Sequence, residues 1–136
     1  MSNDISRAHD EFFKQLFSRP EVGQDFVRHY LPPELSALLE PESIEAQKDS
    51  FIDKELRNHF SDLVFSVKLR DGSPAYLYLL LEHKSYPDQR VAFQLLRYMV
   101  RLWERVIDRQ AQARKEGEKA SAPLRLPPIV PMVLYH

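Results

Sequence analysis

The chain has 136 residues, 43% of them hydrophobic, and a net charge of −1, enough for one compact domain and too balanced for a globally basic nucleic-acid binder. Cysteine is absent, which excludes disulfide staples and thiolate metal sites and suits a cytoplasmic location. No run is long and apolar enough for a membrane span or a secretory signal, and the three glycines form no phosphate-cradling loop.

Phe12, Phe13, Leu16 and Phe17 recur at helical spacing over residues 9–17, with Asp10, Glu11 and Lys14 between them. Pro20 starts a second helix that runs to about Tyr30, where Pro32 and Pro33 stop it; Pro33 can open a short helix through Leu39. Residues 43–52 read as a short edge strand. Residues 60–69 alternate clearly, with Leu63, Phe65, Val67 and Leu69 on one face and Asp62, Ser66 and Lys68 on the other. After the turn residues Asp71, Gly72 and Ser73, residues 76–83 form a central strand that is apolar on both faces. Pro87 and Asp88 open the longest helix, to about Ala113. Its apolar stripe is expected to comprise Val91, Leu95, Met99, Leu102 and Val106, with Leu96, Trp103 and Ile107 beside them. Residues 128–135 are a further buried strand. The chain stops at His136 directly after it, which suggests that residues 1–136 are one domain truncated at its C-terminus.

Asp62 on one strand and Glu82-His83-Lys84 on the next carry the functional signal. Two carboxylates can hold a hard divalent cation, while a lysine orients or helps deprotonate an attacking water; this is the set a metal-dependent phosphodiesterase needs. Charged residues make up 29% of the chain, so the pattern alone is weak. Glu82 and Lys84 fit a solvated ion pair equally well. Asp62 is harder to dismiss, because strand interiors disfavour aspartate and an unpaired buried charge is costly. If the hairpin loop is Asp71-Gly72-Ser73, Asp62 sits directly across from Glu82 on one face. A strict two-residue turn would put Glu82 on the other face.

These residues belong to a longer resemblance. His9-Asp10, Phe13-Lys14 and Phe17 begin it, and it continues through Phe51 and Asp62-Leu63-Val64-Phe65. It then takes in Tyr76, Tyr78, Leu80-Leu81-Glu82-His83-Lys84-Ser85 and Phe93, Leu95-Leu96-Arg97-Tyr98-Met99, and closes at Pro128-Ile129-Val130-Pro131-Met132-Val133-Leu134-Tyr135-His136. Together they resemble the recombination-promoting nuclease family, also described as YhgA-like transposases, within the PD-(D/E)xK superfamily. The resemblance implies an α/β fold with a restriction-endonuclease-like core, a central mixed sheet flanked by helices. It implies a Mg²⁺-dependent DNA endonuclease, with Mn²⁺ able to substitute, that promotes recombination or transposition-like events. Asp62 and Glu82 become metal ligands, joined by the backbone carbonyl of His83, and Lys84 becomes the third catalytic residue. Many relatives carry glutamine where this chain has Lys84, and lysine restores the standard nuclease form. Gln94 takes the place where related nucleases put a glutamine near the site. Family members are about twice this length, so the chain resembles their catalytic N-terminal part.

His9 and Asp10 are expected on a helix near the catalytic mouth. Lys14 is a candidate phosphate contact, although simple helix solvation explains it better. Arg90, Arg97, Arg101 and Arg105 could line a DNA face; with Glu104 and Asp108 they equally describe a solvated, salt-bridged helix. The alternative to an endonuclease is a catalytically inactive nuclease-fold module that binds DNA or protein. A third reading is a homo-oligomer built on an exposed apolar face of the long helix.

Overall fold

Proline and alternating apolar residues set the order of elements. The computed structural model describes residues 2–56, 59–83, 89–115 and 125–135, with the backbone alone for residues 2–7, 9, 10 and 55. Helix α1 (Ser2–Phe17) is followed by α2 (Pro20–His29), which has Pro20 in its first turn, and by one turn, α3 (Pro33–Ser36). Strand β1 (Leu39–Ala46) leads into a loop over residues 47–53 and a 3₁₀ turn, Lys54–Leu56. Strands β2 (Phe60–Leu69) and β3 (Pro74–Glu82) form a hairpin; α4 (Val91–Lys115) and β4 (Ile129–Tyr135) complete the chain.

The sheet order is β1-β2-β3-β4. The first three strands are antiparallel, and β4 joins β3 in parallel through the α4 crossover, as a parallel pair requires. The result is a mixed α/β sheet with helices on both faces. Phe13 and Phe17 of α1 and Phe26 and Val27 of α2 pack on Leu63, Phe65, Val67, Leu77 and Leu79. Tyr98 and Leu102 of α4 pack on Phe60, Val64, Tyr78 and Leu80, with Phe51 and Ile52 of the loop beside them. Strand β3 thus contributes Leu77 and Leu79 to one core and Leu80 to the other, about 2 kcal/mol for each buried leucine.

Five expectations need correction, the first being that the short helix from Pro33 stops at Ser36 and Leu39 already opens β1. The edge strand lies at Leu39–Ala46 rather than 43–52, with a register shift between Glu40 and Glu45 where Pro41 interrupts the ladder. There Ser43 Oγ accepts from the Lys68 amide at 2.8 Å, replacing a backbone partner. The hairpin register pairs Lys68 with Pro74, so Asp62 faces Leu80 and Glu82 faces Phe60. The turn tightens through Leu69 N donating to Ser73 O at 2.8 Å and holds Gly72 at φ 86°, where a side chain would be strained. In that turn the Ser73 hydroxyl and amide both donate to Asp71 Oδ1 and hold its carboxyl below the ordinary range.

The last two corrections concern helices. Helix α1 extends well before residue 9. Helix α4 buries Leu102 and Val106 and half-buries Val91, Leu95, Met99 and Trp103, as expected, but it also buries Gln94 and Tyr98 and leaves Leu96 and Ile107 exposed. Tyr98 lies over Tyr78, and Trp103 Nε1 donates to Pro127 O, just before β4. These contacts run α4 antiparallel to β3, with Gln94 toward the Glu82 end.

Candidate functional site

Asp62 and Glu82 project from the two central strands onto the α4 side of the sheet, both fully buried. Each lies two residues along from the other's cross-strand partner, so they are diagonal neighbours, about 7–8 Å apart at the backbone. The shared face survives the register correction because the shift is an even number of residues; the direct opposition does not.

Their surroundings differ sharply. Asp62 Oδ1 accepts from Ser50 Oγ at 2.5 Å. Oδ2 accepts from the Phe51 and Ile52 amides at 2.7 and 3.3 Å and from the Tyr78 hydroxyl at 2.6 Å. A carboxylate has about four acceptor sites, so Oδ1 keeps one lone pair and Oδ2 is crowded. Burial, and then the Asp62 carboxylate, push the Tyr78 phenol above its ordinary range, and Tyr78 stays a donor. Glu82 Oε1 and Oε2, by contrast, are both buried without a hydrogen-bond partner among the described residues, as is Gln94 Oε1 on α4. Buried acceptors left this way are costly, and they attract a cation or a donor.

The loop that caps Asp62 is itself clasped. Arg97 and Arg101 reach Asp53 at 3.1 and 2.8 Å, and Arg105 and Arg109 reach Asp49 at 2.6 and 3.3 Å. Arg101 also donates to Phe51 O at 2.6 Å and lies over the Tyr98 ring, while Arg105 lies over the Phe51 ring. The arginines therefore pair with loop aspartates rather than with Glu104 and Asp108 of their own helix. Sequence reasoning missed Ser50, Asp49, Asp53 and Tyr78. The usable signal was a matched four-residue spacing: arginines at 97, 101, 105 and 109 against acids at 49 and 53.

Gln94 is buried on α4 and Arg97 is paired with Asp53. His83 sits at the end of β3; its amide donates to His59 O at 2.8 Å, and its Nε2 lies 2.9 Å from Ser61 Oγ. Lys14 lines a cavity of about 570 Å³ with Phe17, Arg19, Lys48, Leu63 and Phe65, on the opposite side of the sheet from the two carboxylates. Lys84 lies outside the described residues, as do the side chains of His9 and Asp10, which fall on α1. Among the described residues, no group of three or more His, Cys, Asp or Glu could hold a metal ion. Two carboxylates with neutral oxygens suit Mg²⁺ nonetheless, since that ion keeps several waters and needs only one or two carboxylates. Asp62 Oδ1, Glu82 and Gln94 together offer an oxygen-only donor set on the α4 side of the sheet.

A mixed sheet covered by helices on both faces, with an acidic pair on its inner strands, defines an α/β protein built around a buried polar centre. Residues 7–136 match the family described as "Putative transposase, YhgA-like", and the chain belongs to that family. It is 34% identical over 131 residues to the recombination-promoting nuclease RpnA of Escherichia coli (strain K12), covering 96% of this chain and 40% of that protein. It is also 34% identical over 131 residues to the recombination-promoting nuclease RpnD of Escherichia coli O157:H7, covering 96% of this chain and 46% of the relative. The inactive recombination-promoting nuclease-like protein RpnE of Escherichia coli (strain K12) is 33% identical over 131 residues, again 96% of this chain and 40% of the relative. The chain thus spans less than half the length of these relatives. No solved structure matches it. No helix among the described residues is long and apolar enough to cross a membrane.

Proposed function

We propose that the chain carries the catalytic centre of a metal-dependent DNA endonuclease of the PD-(D/E)xK type. The observation that supports this most is Glu82, a fully buried carboxyl with both oxygens unpartnered among the described residues, on the same face as buried Asp62. A purely structural residue in that position would be paired or apolar. Asp62 Oδ1, Glu82 and the carbonyl of His83 would hold Mg²⁺ or Mn²⁺, with the buried Gln94 amide oxygen of α4 as a further candidate donor. Such an ion, when bound, would supply Lewis-acid polarisation of a phosphoryl oxygen and a more acidic water. Lys84 would orient the attacking water or stabilise charge developing on the phosphate. The Ser50, Phe51, Ile52 and Tyr78 donors hold the Asp62 carboxyl in one orientation.

A second reading has a specific observation behind it. Four donors already occupy Asp62, and relatives of similar identity include a protein named inactive. That reading is a nuclease-fold module that binds DNA or protein without cutting.

The test is Mg²⁺- or Mn²⁺-dependent cleavage of plasmid DNA, with a melting series beside it. Asp62→Ala and Glu82→Ala are expected to lose about 100-fold or more of the activity. Glu82→Gln, which replaces the buried carboxyl with a neutral amide of the same shape, is expected to gain about 1–2 kcal/mol of stability. Mg²⁺ should raise the Tm of the wild type and leave that of Glu82→Gln unchanged. A metal-dependent Tm shift without cleavage would favour the binding module. Neither cleavage nor shift would remove the metal site altogether.

A further inference from the structure

Helix α4 is apolar on two opposite faces. One face, Tyr98, Leu102 and Val106 following Gln94, is buried against the sheet. The other carries Phe93, Leu96, Val100, Trp103 and Ile107, with Phe93 65%, Leu96 53%, Val100 42% and Ile107 37% exposed. Trp103 stands at the edge of this face, half-buried, packed in part against the inner cluster and with its indole held by the bond to Pro127 O. A helix with one packed face normally shows charge on the other. Here the outward face is a contiguous apolar strip about 21 Å long at 1.5 Å per residue, of the kind that marks an interaction surface.

The spacing identifies the kind of partner. Residues 93, 96, 100, 103 and 107 alternate steps of three and four, which is the a/d seam of a two-helix coiled coil rather than a random scatter. The charges flanking the seam select the orientation. Arg97 and Glu104 stand seven residues apart on the same flank, at equivalent positions of successive heptads. In a parallel pair each would face Ala92, Met99 or Val106 of the other helix, with no charge complement. In an antiparallel pair related by a two-fold axis near residues 100–103, Arg97 meets Glu104 of the second copy, and the symmetry makes that pair twice. Val100 then packs opposite Trp103, and Leu96 opposite Ile107.

We infer that the outward face of α4 is a homodimerisation seam, in which a second copy of this chain packs antiparallel through Phe93, Leu96, Val100, Trp103 and Ile107, with reciprocal Arg97–Glu104 pairs at its edge. Arg97 already bonds Asp53 through one nitrogen, and its guanidinium has further donors for a second carboxylate. The inference is independent of whether the buried carboxylates cut DNA.

Sedimentation equilibrium of the chain across the micromolar range tests it, with circular dichroism and Tm as controls for folding. The wild type is expected to show a monomer–dimer equilibrium and Val100→Lys a monomer of unchanged Tm. Glu104→Arg, which sets like charges against each other twice, is expected to weaken the dimer about tenfold or more. Arg97→Glu combined with Glu104→Arg restores it. A wild type that stays monomeric throughout, a dimer indifferent to Val100→Lys, or a charge swap that restores nothing would each overturn the assignment. Because Val100 is 42% exposed and is not one of the buried core residues, loss of the dimer there is separable from loss of the fold by the Tm control.

Discussion

Tyr78 shows how one side chain can serve packing and electrostatics together. Its ring fills the core between Phe51 and Tyr98, and its hydroxyl, 2.6 Å from Asp62 Oδ2, is one of four donors on that carboxylate. Tyr78→Phe keeps the ring and deletes a hydrogen bond to a charged group, so a loss of about 1.5–3 kcal/mol is expected. The pH dependence has a definite sign. Burial and Asp62 raise the folded-state pKa of Tyr78 above that of an unfolded tyrosine, near 10. Above that pH the unfolded chain gives up a proton that the folded chain keeps. Tyr78 therefore contributes stability that is fully present below about pH 10 and is lost as pH rises further. Urea unfolding between neutral pH and pH 11 should fall less steeply for Tyr78→Phe than for the wild type; parallel curves would mean that Tyr78 ionises freely in the fold. Asp62 was legible in the sequence because an aspartate between Ser61 and Leu63 violates strand preference. Tyr78 was not, because a tyrosine in an apolar strand looks like any other core aromatic.

At the scale of elements, α4 and the loop over residues 47–53 behave as one unit. Four arginines spaced by one helical turn hold two aspartates spaced by four, and the loop between those aspartates presents Ser50 Oγ and two amides to Asp62. The arginines are a third to a half exposed, which keeps each ion pair modest, at about 0.2–1 kcal/mol. Asp49→Asn and Asp53→Asn each disrupt two pairs and should lower stability by about 1 kcal/mol apiece. The sharper readout is local: amide exchange at Phe51 and Ile52 should quicken in the double variant, while Leu63 to Val67 keep their protection. Unchanged exchange at Phe51 and Ile52 would mean that the loop is held by its apolar side chains alone. Sequence reading separated these parts because periodicity along a helix reveals which residues share a face, but not what lies across from it.

Over the whole molecule, the layered α/β architecture was readable and the register was not. Leu63, Phe65 and Val67 alternate cleanly, and so do Leu77 and Leu79, so the two faces of the hairpin followed from side-chain type. The pairing of Asp62 with Leu80 rather than Glu82 depended on backbone bonds within the turn, Leu69 to Ser73, which no side chain advertises. On α4 the difficulty was an excess of signal. Two opposite apolar faces each satisfy helical periodicity, and only the sheet shows which one is inside. The family was legible because its motifs are distributed along the chain, from His9 to His136, rather than concentrated in three charged residues.

The parallel pairing of β4 with β3 imposes an order of events on the centre of the protein. The hairpin that puts Asp62 and Glu82 on one face closes across a handful of residues. By contrast, Tyr76 finds Ile129 about 50 residues away in sequence, after α4 has crossed the sheet. Chain closure over that distance is slow by comparison, so the acidic pair should be assembled while still hydrated and be dried only when α4 and β4 dock. Pulse-labelled amide exchange during refolding should protect Leu63 to Val67 before Met132 and Val133, and simultaneous protection would contradict this order. A nascent centre that meets water first and the helix last can discharge the repulsion between its carboxylates into solvent, or onto an ion drawn from it, before the fold shuts.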